Sequence, residues 1–104
     1  TVVDCYSIKP NDEKTLKSLV QPFDFPQGKL TTHNLQPTTI ITVEDHWFEG
    51  GLGDAVLNVF SHDNKVKVHK LAVTKMPRSG KQQELLDFEG ISAKSIITKV
   101  KSIL

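Results

Sequence analysis

Apolar positions along the chain change period several times, and each change marks an element. Residues 1–6 are mostly β-branched or aromatic and read as a buried strand, ended by Lys9-Pro10. A helix is expected next: Asn11 suits the N-cap, Asp12 and Glu13 suit the positive helix start, and Leu16, Leu19 and Val20 share one face up to about Gln21. Residues 22–37 hold three prolines, a glycine and Thr31-Thr32-His33-Asn34, which predict an irregular excursion long enough to be an insertion. Residues 38–44 are almost continuously β-branched, as in a parallel-sheet strand covered on both faces. After Gly53, Ala55, Val56, Val59 and Phe60 form the stripe of a helix that Asp63-Asn64 ends. Residues 65–73 alternate Val66, Val68, then Leu71 and Val73 with basic residues and His69, which predicts a strand with one exposed face, nearer a sheet edge than its predecessor. Ser79 and Gln82 have capping-box spacing for a short helix through Phe88, stopped by Gly90. From about Ala93 a last helix carries Ile96, Ile97, Val100, Ile103 and Leu104 on a face that must pack on something.

This alternation of strands and helices predicts an α/β fold: three-layered and Rossmann-like, with a mostly parallel sheet flanked by helices. A chain of 104 residues fits a single domain. Its 38% apolar and 24% charged content is that of a packed globular protein rather than a disordered one. Apolar runs are far too short to span a bilayer and the first residues carry no secretion pattern, so neither membrane insertion nor export is expected. Cys5, the one cysteine, excludes an internal disulfide, reads as a small buried hydrophobe and fits a reducing, cytoplasmic setting.

Charge is uneven. Residues 1–63 carry four basic and nine acidic side chains (−5), and residues 64–104 carry nine and three (+6), which together give the net +1. The basic half could face an anionic partner, or the opposite charges could meet within the fold or at a subunit contact. Its lysines are scattered and have no interleaved aromatics to stack bases, so nucleic acid is not expected as a partner.

Candidate chemistry concentrates in Glu44-Asp45-His46-Trp47-Phe48-Glu49-Gly50-Gly51-Leu52-Gly53, where a strand end runs into a helix start. Gly50, Gly51 and Gly53 could offer backbone N–H groups to an anion or nucleotide, with Glu49 at the rim. The spacing is not G-x-G-x-x-G, and the surrounding carboxylates, Asp54 among them, would repel phosphate; a tight structural turn is the competing reading. Glu44, Asp45, His46 and Glu49 could tune an imidazole or hold a metal, but neighbours in an extended segment point to opposite faces. His33, His46, His62 and His69 match no zinc spacing, and no G-x-S-x-G elbow presents a serine. A second stretch, Arg78-Ser79-Gly80-Lys81, is not a Walker A loop, because Lys75 stands at the upstream glycine position and Gln82 replaces the Ser/Thr. Arg78, Ser79 and Lys81 could contact an anion or a partner, or form a solvated helix cap. No catalytic, cofactor-binding or metal-ligating residue is therefore assigned.

Several separated segments together resemble the carboxy-terminal domain of transketolase, of the animal type especially. They are Val2-Val3-Asp4-Cys5-Tyr6-Ser7-Ile8-Lys9-Pro10, Ile41-Thr42-Val43-Glu44-Asp45-His46, Glu49-Gly50-Gly51-Leu52-Gly53-Asp54-Ala55-Val56, Leu71-Ala72-Val73, Pro77-Arg78-Ser79-Gly80-Lys81, and Glu84-Leu85-Leu86-Asp87 with Gly90-Ile91. The resemblance implies a parent transferase that needs thiamine diphosphate and a divalent ion, Mg or Ca, and moves ketol units between sugar phosphates in the pentose phosphate pathway. It implies that the cofactor-binding groups lie in preceding domains at a homodimer interface, so this chain would bind no cofactor and be inactive alone. Its implied partners are the rest of the parent enzyme or a second subunit. The family's domain has a further strand and helix before the Val2-Val3-Asp4 strand, so a central sheet position is expected to stand empty. A free-standing protein-interaction module and a small anion or nucleotide binder are the alternatives.

Overall fold

The computed structural model describes residues 1–5, 12–20, 38–76 and 78–104. Helix α1 (Glu13–Val20) is capped by Asp12. The Thr15 N–H donates to Asp12 Oδ1 at 3.1 Å and the Thr15 hydroxyl to Oδ2 at 2.7 Å. These bonds, the hydroxyl's above all, hold the Asp12 carboxyl below its ordinary pKa. The cap thus falls on Asp12; Asn11, the expected cap, and the excursion over residues 22–37 lie outside the described residues.

Strand β1 (Thr38–Trp47) and strand β2 (Val66–Val73) pair in parallel, with Ile40 opposite Val68, Thr42 opposite Lys70 and Val43 opposite Leu71. The register shifts between Val43 and Trp47. Parallel neighbours need a crossover, supplied by α2 (Leu52–Val59). Side-chain alternation then sorts the sheet's two faces. On one, Ile40, Val66 and Val68 meet Leu52, Val59 and the buried Val56, Phe60 and Leu16, so α1 and α2 close over this side as the main core. On the other, Val73 and Asp45 line a cleft beneath α3 (Gln82–Glu89), and Leu71 lines one beside α4 (Ala93–Ile103). The result is helices on both faces of a parallel sheet, with β1 extending three residues beyond the expected strand and α2 starting at Leu52 rather than after Gly53.

Two expectations need correction. Residues 1–5 form no strand: Val2 is 98% exposed, and of this segment Cys5 alone packs against the core cluster. β-branched composition describes a surface that fits a sheet, and it yields a strand only where a neighbouring ladder is offered. The sheet accordingly has two strands among the described residues, where three were expected. Nor does Ser79 cap α3, whose N-cap is Lys81 with no side-chain cap bond.

The end of α3 does follow its sequence signal. Gly90 adopts φ 73°, and Ile91 N–H reaches back to the Leu86 carbonyl at 3.0 Å, a Schellman stop. Glu89 Oε2 then accepts from the Thr74 and Lys75 amides at 3.0 and 3.2 Å, which ties this helix end to the end of β2. Ser92, 2% exposed, caps α4 through the Ser95 N–H.

Val56 is the most completely buried member of the core, at 2% exposure. Val56→Ala removes two buried methyl groups and is expected to cost about 2 kcal/mol of unfolding free energy, read from urea denaturation.

Candidate functional site

Among the described residues, the junction between β1 and α2 gathers a dense set of polar contacts. Two sequence features place it there. Glu44 falls in the same alternation as Ile40 and Thr42, so it points toward α2, and Gly50, with φ 81°, turns the chain back toward that helix.

Glu44 is buried, and its Oε2 accepts the Gly53 N–H at 3.0 Å. Gly51 packs so tightly on this carboxylate that an added Cβ would lie 2.5 Å from Oε1. On the outer side, Asp54 Oδ2 accepts the Gly50 N–H at 2.6 Å, and its Oδ1 takes a bond of 2.6 Å from Lys70 Nζ. The Lys70 bond, followed by that of the Gly50 amide, holds the Asp54 carboxyl below its ordinary pKa. Only 8% of the Lys70 side chain is exposed; its ammonium sits 3.8 Å from the Phe48 ring centroid, and its stem fills the space where a Gly53 Cβ would go.

The glycine loop is therefore a cradle already filled. The amides of Gly50 and Gly53, at the positive start of α2, are satisfied by Asp54 and Glu44 of the same chain, in the positions an external anion would take. A phosphate or diphosphate brought here would displace one carboxylate while facing the other. One cost is left inside: Glu44 Oε1 and Thr42 Oγ1 are buried without a hydrogen-bond partner.

The remaining candidates do not join this cluster. Asp45 points to the opposite face, where it lines the cleft under α3, and His46 Nδ1 donates to the Trp47 carbonyl at 2.8 Å. Glu49 is exposed. Arg78, Ser79 and Lys81 are exposed as well; the Arg78 guanidinium lies 3.8 Å and the Lys75 ammonium 4.5 Å from the Phe88 ring centroid. Among the described residues no group of three or more His, Cys, Asp and Glu side chains is placed to hold a metal ion. Lys70 and Phe48 were missed by the sequence reading. The signal for Lys70 lay in β2 itself, because the parity that turns Val66 and Val68 inward turns Lys70 inward too.

Two tests address this packing. Gly51→Ala pushes a methyl into the Glu44 carboxylate and is expected to destabilise by about 1–3 kcal/mol; the double variant with Glu44→Ala should lose less than the sum of the two single losses, as chemical denaturation of the double-mutant cycle would show. The depressed Asp54 pKa stabilises the fold above the ordinary aspartate value of about 3.9, and that contribution fades as pH falls through the lower folded-state value. Asp54→Asn should therefore be less stable than the parent at neutral pH, with the gap closing below about pH 4 in pH-dependent melts.

Comparison with known proteins agrees with this architecture. Residues 28–96 match the family model "Transketolase, C-terminal domain". The chain is 44% identical over 103 residues to transketolase-like protein 1 of Macaca fascicularis, which covers 99% of the chain and 15% of that protein. It is 45% identical over 100 residues to transketolase-like protein 2 of Mus musculus (96% of the chain, 14% of the relative) and 38% identical over 103 residues to transketolase of Rattus norvegicus (99% and 14%). Among solved structures it matches a split gene transketolase, described as an inactive beta4 tetramer, with TM-score 0.66 and 30% identity over 97% of this chain and 27% of that one. The chain thus spans about one-seventh of the length of these curated relatives. Matched along nearly its whole length by such relatives, and folded as a parallel sheet between helices, it belongs to the transketolase family, within which it corresponds to the C-terminal domain.

Proposed function

We propose that this chain is a non-catalytic accessory domain of a transketolase-like enzyme, one that uses thiamine diphosphate and a divalent ion to transfer ketol units between sugar phosphates. In this reading it is inactive alone and works packed against the remaining parts of the enzyme, a cytoplasmic homodimer of the pentose phosphate pathway. The observation that carries the reading is the self-filled cradle: the amides best placed to receive a diphosphate are bonded to Glu44 and Asp54. Among the described residues this loop does not fit the diphosphate of the cofactor, which supports the reading, and no step of ketol transfer is assigned to it. The same geometry weighs against a small anion or nucleotide binder built on Glu49, Gly50, Gly51 and Gly53.

Isothermal titration of the isolated chain with thiamine diphosphate and Mg²⁺ should give no saturable heat, and the chain should not turn over sugar phosphates. Saturable binding or turnover would refute the accessory role.

A further inference from the structure

Open α/β folds take ligands at the carboxyl end of their parallel strands. At that end of this sheet the glycine loop on one side is filled by Glu44 and Asp54. On the other side lies the cleft beneath α3, about 390 Å³ in volume, which is within the range of small-molecule sites.

An irregularity of the sheet turns a charge toward this cleft. Between the pairs Val43–Leu71 and Trp47–Val73, residues Glu44, Asp45 and His46 of β1 stand against Ala72 alone of β2. Such a bulge interrupts the ladder and re-aims side chains, and bulges are enriched beside binding sites. Here Glu44 turns to α2 and Asp45 to the cleft.

The cleft has an apolar wall and a rim with one unpaired charge of each sign. Val73, Leu85, Leu86, Phe88 and Ile91 form the wall. Asp45 and Arg78 line the cleft from exposed positions, and neither forms an ion pair with any described residue. The Arg78 guanidinium is steadied by the Phe88 ring, 3.8 Å from its centroid, an arrangement that leaves the N–H edge of the group available to a carboxylate. Glu89, the other acid in the lining, is already engaged: its Oε2 accepts the Thr74 and Lys75 amides.

This combination selects a ligand by charge as well as by apolar contact. A simple carboxylate would gain Arg78 but face Asp45, and a simple amine would gain Asp45 but face Arg78. A zwitterion satisfies both. We propose that the cleft beneath α3 binds a free α-amino acid with a bulky apolar side chain, its carboxylate on Arg78, its ammonium on Asp45 and its side chain against Leu85, Leu86 and Ile91. The site is separate from the glycine loop and does not depend on the accessory-domain reading.

The test follows the amide resonances of the full ¹⁵N-labelled chain as L-phenylalanine is added at constant ionic strength. N-acetyl-phenylalanine, which lacks the ammonium, phenylalanine amide, which lacks the carboxylate, and glycine, which lacks the side chain, serve as the other arms. Phenylalanine should give shifts around Asp45, Val73, Arg78 and α3 that saturate below about 10 mM, and each of the other three should bind at least about tenfold more weakly. Asp45→Asn and Arg78→Gln change exposed positions, so both variants should keep the dispersed spectrum of the folded chain while each weakens phenylalanine binding at least about tenfold. Absence of saturation, equal binding of either blocked derivative or of glycine, or unchanged affinity in either variant would overturn the proposal.

Discussion

A single buried carboxylate organises this domain. Glu44 leaves the end of β1 toward α2 and takes up the Gly53 N–H, which fixes where the helix begins and how closely it approaches the strand. Gly51 and Gly53 have no side chain because the Glu44 carboxyl group and the Lys70 stem occupy that space. Removing water from a charge is costly unless hydrogen bonds and opposite charge compensate. Here the compensation comes from the positive end of α2, with the Lys70–Asp54 pair close by. The same contacts use up the groups that would make the loop a ligand site, so the local requirements of folding and the absence of an open anion cradle have one cause.

From that junction the asymmetry of the molecule follows. With α2 held down on its side, the core of Leu16, Val56 and Phe60 forms there. The opposite face is tied to its helices mainly through their ends, by the Glu89 bonds to the close of β2. A parallel sheet needs both faces covered. On the loosely covered side Val43 is 37% exposed, and Ile97, Val100 and Leu104 of α4 are exposed as well. Transketolase-like protein 1 of Macaca fascicularis is about seven times longer than this chain.

Most elements were legible in the sequence because their signals are local. β1 announces itself by its β-branched run, α2 by its stripe, the end of α3 by Gly90, and α4 by the isoleucines that begin after Ser92. Residues 1–5 show the limit: Val2 and Val3 have strand-like chemistry, yet a strand is made by its neighbour. The α3 cap failed for a related reason, since Ser79 has the right spacing in sequence but the backbone becomes helical only after Lys81. At the junction, the glycines and acids were legible as a group, and the structure brings two of those acids onto the amides of Gly50 and Gly53. What spacing alone could not supply was the pairing of each carboxylate with its amide. Lys70 escaped notice because charge in a strand suggests an exposed face; its parity with Val66 and Val68 was the better guide. The resemblance to transketolase supplied the family, and the geometry supplies the pairing of Glu44 and Asp54 with the amides of the glycine loop.

The central claim, that the chain's own carboxylates already fill the amide cradle at the start of α2, is most directly tested by following the Gly50 and Gly53 amide resonances while inorganic diphosphate is added at constant ionic strength. Both should stay in place across the titration. Saturable movement of either resonance would mean that an external anion can take the place of Glu44 or Asp54, and would contradict the account.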